Sequence, residues 1–130
     1  YRQCRELRDR NEQEALAIDA VAGELRIALA SGEGKQVEGL LAELERRLDA
    51  REEDGIDGVE HPGRLYTTLI EASLSLDRHD RARHHARGAI AFLTARGTHV
   101  SDTDRESYLW GVTTHRRILE LAERLGVIAG

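Results

Sequence analysis

Apolar residues recur at three- and four-residue spacings along most of this chain, and only one proline, Pro62, interrupts it. That period marks helices with one buried stripe. With 40% of residues hydrophobic, 33% charged and 4% aromatic, the composition suits exposed, ion-laced helices better than strands. The expected fold class is all-α, with about five helices. A chain of 130 residues can bury roughly two-thirds of its unfolded surface without help from disulfides or metal. A single helical domain over residues 1–130 is therefore expected.

The first helix is expected from Arg2 to about Ser31. Cys4, Leu7, Ile18, Val21, Leu25 and Ala28 form its stripe, interrupted at Asn11 and Glu14. Gly32 and Gly34 end it, since glycine accepts the left-handed conformation that closes a helix. Val37, Leu40, Leu41, Leu44 and Leu48 make a second stripe between Lys35 and about Arg51, completing a first hairpin over about 2–51. An acidic, glycine-rich loop follows at 52–61. Its Asp54, Asp57 and Glu60 lack the regular alternation and distant glutamate of a calcium loop.

Pro62 suits a first helical turn, where its missing N–H would have no partner anyway. From it Leu65, Leu69, Ala72 and Leu76 form one stripe, with Tyr66, Ile70, Ser73 and Leu74 beside it. A helix apolar over so wide an arc is a central one. The turn Asp77-Arg78-His79-Asp80 leads to a partner helix from Asp80 to Arg96, whose face carries Ala82, Ala86, Ala89, Ile90 and Leu93. This second hairpin covers about 62–96. Ser101 and Asp104 resemble a capping box for a long capping helix over about 102–125. Tyr108, Val112, His115, Leu119 and Ala122 lie on one seam of it, with Trp110, Ile118, Leu121 and Leu125 on the next.

The net charge of −5 opposes non-specific nucleic-acid binding, which needs a basic face. No apolar run approaches a membrane span, so no membrane contact is expected. A lone cysteine, Cys4, excludes an intrachain disulfide and favours a reducing, cytoplasmic location. The chain has no methionine, which implies a processed product or a piece of a longer polypeptide whose other domains are candidate partners. The charged N-terminal helix also offers a surface for a homodimer.

Offsetting the chain by 45 residues carries Val21, Leu25, Ala28 and Leu29 onto Tyr66, Ile70, Ser73 and Leu74, and Val37, Leu41 and Leu44 onto Ala82, Ala86 and Ala89. Repeated antiparallel helix pairs bury their free faces on neighbours, as in α-solenoids. The second pair resembles a tetratricopeptide repeat. Tyr66 takes the large aromatic position, Leu69 the leucine after it, Ala82 the alanine opening the second helix and Ala89 its later alanine. Ile70 departs from a usual glycine or small residue, Ala86 from an aromatic, and no closing proline follows; the offset also exceeds the usual ~34 residues.

The resemblance implies two stacked hairpins whose first helices form an inner, ligand-binding groove. Arg64, Thr67, Glu71 and Ser75 would line it in the second hairpin, and Asp19, Ala22, Arg26 and Ala30 in the first. Arg26 and Glu71 take equivalent positions and are candidates to pair with each other.

Other chemistry is sparse. Asp80 and His84, four apart on a helix, offer two metal ligands, with Asp77 or His79 as a third, although the surrounding arginines would repel a cation. Arg78, Arg81, Arg83 and Arg87 form a candidate basic patch for a phosphate or an acidic segment. His115 lies within an apolar seam with no nucleophile at fixed spacing, and Cys4 has no partner motif. No cofactor and no enzymatic activity are expected. The expected function is a non-catalytic protein-interaction or regulatory module recognising a protein or peptide. The alternative is a helical sensor that binds a small ligand or metal through the His/Asp/Arg turn.

Overall fold

The computed structural model describes residues 2–51, 59, 61–97 and 113–128; for 2–9, 96, 97 and 113–115 only the course of the backbone is described. Five helices are present among these residues, with no strand, so the protein is all-α. They are α1 (Arg2–Ser31), α2 (Gly34–Ala50), α3 (Pro62–Ser75), α4 (His79–Gly97) and α5 (Thr113–Arg124). The helix boundaries expected for the first four agree to within about one residue. The last helix is seen from Thr113 onward. Its expected capping box at Ser101 and Asp104, with Tyr108, Trp110 and Val112, lies outside the described residues, as do the acidic side chains of the 52–61 loop. The chain divides into two compact units, 1–62 and 63–130.

In the first unit α1 and α2 form a hairpin. Ala15, Ile18, Val21, Ala22, Leu25 and Ala28 are buried on α1, as are Val37, Leu41 and Leu44 on α2. These positions follow the three-four spacing of a single stripe on each helix. Leu40 and Leu48 flank the α2 stripe and are half-buried.

The second unit is built on a cluster of Ile70 from α3, Ala82, Ala86, Ala89 and Leu93 from α4, and Ile118, Leu121 and Ala122 from α5. The alanine face of α4 lets its neighbours approach closely. Tyr66 stacks at a tilt on Phe92, ring centroids 5.6 Å apart, and covers Gly88 so tightly that a Cβ there would lie 3.3 Å from Tyr66 Cε1. Gly63, Leu65, Thr68, Leu69, Ile70, Ala72 and Ser73 are all buried on α3. At about 100° per residue they wrap most of its circumference, so burial on α3 extends well beyond one stripe and takes in the polar Thr68 and Ser73.

Both hairpins turn by the same device. At the end of α1 the Glu33 N–H donates to the Ala28 carbonyl at 3.1 Å and the Gly32 N–H to Leu29 at 3.3 Å. After α3 the Arg78 N–H donates to Ser73 at 2.9 Å and the Asp77 N–H to Leu74 at 3.0 Å. This is the paired bonding of a Schellman motif, which requires a left-handed residue at its corner. Gly32 supplies it with φ 71° and Asp77 with φ 59°. The next helices begin alike: Val37 N–H bonds to the Glu33 carbonyl and Ala82 N–H to that of Arg78, both at 3.0 Å. Gly126, φ 74°, closes α5 in the same way, with Val127 N–H on Ala122 at 2.9 Å, and Val127 folds back onto the core.

Candidate functional site

Helix α1 carries apolar residues on two opposite faces. One is the buried stripe against α2. The other consists of Leu16, Ala20, Gly23, Ile27 and Ala30, spaced four, three, four and three residues apart. Such spacing keeps them within about 80° of arc. Leu16 is 68% exposed and Ile27 69%, the two large hydrophobic side chains most open to solvent among the described residues. Ala20 and Ala30 are exposed and Gly23 is half-buried. Scattered surface leucines are ordinary, whereas an apolar row at heptad spacing has the geometry of a coiled-coil seam. This row was readable in the sequence from spacing alone. It was obscured because the buried stripe absorbs the periodic signal and the charged residues between the two dominate the pattern.

The junction of α1 with the end of α2 holds a second feature. Arg51 is buried, its side chain 3% exposed, and its Nε stands 3.6 Å from the Glu14 carboxylate. Beside the pair is a cavity of about 140 Å³ lined by Glu14, Ile18, Arg47, Ala50 and Arg51. Glu14 breaks the α1 stripe in sequence because it faces this arginine. At the rim of this cavity Arg47 pairs with Glu43, one turn back on α2, at 3.1 Å.

Of the groove residues, Arg64, Thr67, Glu71 and Ser75 do share one face of α3, by their spacing. Two of the four point their hydroxyl hydrogen bonds back into the helix: Thr67 donates to the Gly63 carbonyl at 3.0 Å and Ser75 to that of Ala72 at 2.8 Å. Glu71 accepts from Arg117 Nε of α5 at 3.2 Å, and Arg64 is exposed. In the first unit, Asp19 and Arg26 lie on one flank of the exposed α1 row, half-buried and each already in a polar contact. Ala22 is buried and Ala30 exposed.

The four arginines of the basic patch form two pairs. By helical geometry Arg78 and Arg81 lie on one flank of the buried alanine face of α4, and Arg83 and Arg87 on the other. Arg83 is tied to Asp80 at 3.0 Å and donates from Nε to the Leu125 carbonyl at 3.4 Å, which places a cation at the C-terminal end of α5, where the helix dipole favours it. Asp77, Arg78, His79, Asp80 and Arg81 line an open depression of about 430 Å³. Within it Asp77 Oδ1 and His79 Nε2 are 2.8 Å apart. Asp80 and His84 are both exposed, and His84 meets His85 edge-on, ring centroids 5.3 Å apart. Among the described residues no three or more histidine, cysteine, aspartate or glutamate side chains gather as a metal site.

His85 is buried; its position three residues after Ala82 and four before Ala89 foretells that place. The side chains of Cys4 and His115 lie outside the described residues. Burial raises the Tyr66 phenol above its ordinary value of 10.0. No protein-family model, curated protein or solved structure gives a significant match to this chain.

Proposed function

We propose that this chain is a non-catalytic helical module that binds another protein, with the exposed row Leu16, Ala20, Gly23, Ile27 and Ala30 of α1 as its principal docking surface. The observation that carries this reading is the exposure of Leu16 and Ile27 on one continuous face, opposite the face that α2 covers. Burying two such side chains on a partner is worth about 1.5–3 kcal/mol each. Helix-in-groove or helix-on-helix recognition through i, i+4, i+7 and i+11 anchors is the binding mode that this spacing fits.

The two hairpins, with like turns 45 residues apart, fit a repeat module of tetratricopeptide-like character. In that reading the α3 strip of Arg64, Thr67, Glu71 and Ser75 is a further contact surface, and the partner is a protein or peptide, another domain of the parent polypeptide included. Placement in the cytoplasm accords with the lone cysteine. Among the described residues no helix is long and apolar enough to cross a membrane.

A photo-crosslinking residue placed at Ala20 in cells tests the docking surface. Adducts with a protein at position 20, absent from the exposed Gln36 on α2, are expected, and Leu16→Glu should abolish them without lowering the melting temperature. No adduct at position 20, or adducts indifferent to Leu16→Glu, would remove the reading.

A further inference from the structure

We infer that the partner seated on the exposed face of α1 is a second copy of α1, packed antiparallel across a two-fold axis between Val21 and Ala22. The inference rests on the protein-binding reading above and identifies its occupant.

The row is self-complementary. A closed two-fold interface requires that residue i meet residue j and j meet i. The numbers 16 and 27 sum to 43, as do 20 and 23, so one axis between Val21 and Ala22 pairs Leu16 with Ile27 of the second copy and Ala20 with Gly23. Large residues then close each end, and the two small ones sit at the centre, edged by the Arg26 side chain, whose Nη2 is 3.7 Å from where a Cβ on Gly23 would stand. The register also sets Gln13 against Ala30, continuing the row by one layer at each end. The 4-3-4 spacing gives any such row matching sums; what this row adds is the order large, small, small, large.

Charge selects the direction. In the antiparallel pairing Asp19 lies about 3 Å along the axis from Arg26 of the second copy, on the same flank, and the reciprocal pair repeats this. In a parallel pairing the residue facing Asp19 is Glu24, because flanking positions five residues apart oppose each other across a parallel seam. Opposite charges flank the antiparallel arrangement and like charges the parallel one. Asp19 and Arg26 already have contacts within their own chain, so the second copy adds to them and orientation, more than strength, is what they supply. With only two large anchors per chain, the dimer is reversible and concentration-dependent.

Sedimentation equilibrium on the whole chain is the test, run against Leu16→Glu and Ile27→Glu together. The weight-average mass should climb from one chain toward two with concentration. The double variant should stay at one chain at every concentration, with helical circular dichroism and melting equal to those of the wild type at dilutions where it is a single chain, since both positions face solvent there. Spin labels on Ser31→Cys in a Cys4→Ser background read direction. The antiparallel pair separates them by about 28 Å along the axis, whereas a parallel pair brings them within about 10 Å.

A single-chain mass at all concentrations overturns the inference, as does a dimer that survives both glutamates or one whose labels are close. A monomer that still forms the Leu16-dependent adducts from position 20 would overturn self-pairing alone and leave the protein-binding reading standing.

Discussion

Two corner residues perform one task with different side chains. Gly32 and Asp77 both hold a left-handed backbone, and a Cβ at Gly32 would meet nothing within 4 Å. The cost of a side chain there is therefore backbone strain alone. Gly32→Ala should lower stability by about 1 kcal/mol and Asp77→Gly should raise it by about 0.5 kcal/mol, read from urea midpoints. The second variant also removes the Asp77–His79 pair, which is exposed and contributes little. Tyr66 gives a residue-scale effect of another kind. Its burial holds the phenol neutral above the pH at which an unfolded tyrosine ionises. Between the unfolded and folded values the native state keeps a proton that the unfolded chain has lost, so stability falls as pH rises through that window. Unfolding free energy measured from pH 9 upward should fall more steeply in the wild type than in Tyr66→Phe. Equal slopes would show that the buried phenol is not the cause.

At the scale of the helix, the stripes set the energetics. Leu41 and Ile70 each lie in the buried stripe of a hairpin, and neither has measurable exposure. Alanine at either should cost about 2–5 kcal/mol, as should alanine at Leu69. The shape of the loss differs between them. Ile70 faces small residues on α4, which cannot swing to refill its place, so its cost should lie toward the upper end. Denaturant titration of the two variants decides this, and a smaller loss for Ile70→Ala would contradict the packing argument. Element type and position were legible in the sequence because one stripe per helix and a glycine or aspartate at each corner are local signals. The exposed row on α1 was less so. A second apolar face on the same helix adds apolar residues without changing the period, and the Glu14–Arg51 contact joins residues 37 apart that share no local pattern. The basic cluster shows the opposite failure, since four arginines close in sequence become two pairs once the helix turns them to different flanks.

For the molecule as a whole, the arrangement of charge bears on the expectation that duplex DNA is not a partner. Duplex DNA binds proteins chiefly by exchanging counterions for lysine and arginine contacts, and a basic face is the minimum requirement. Here the net charge is −5, and the arginine cluster at the start of α4 is divided by a buried alanine face. Arginines of this unit are also engaged: Arg83 by Asp80 and the end of α5, and Arg117 by Glu71 and Glu120. Single-sided neutralisation of several phosphates is therefore not available from that cluster. Fluorescence anisotropy with a labelled duplex of about 20 base pairs should show no binding at protein concentrations up to about 100 µM in physiological salt, the weak end of ordinary non-specific affinity. Lowering the salt should not produce the steep gain that several released counterions would give. A dissociation constant in the micromolar range with a strong salt slope would require a basic face that the divided arginines of α4 do not form by themselves. It would also turn attention from the apolar row of α1 to the arginines of α4.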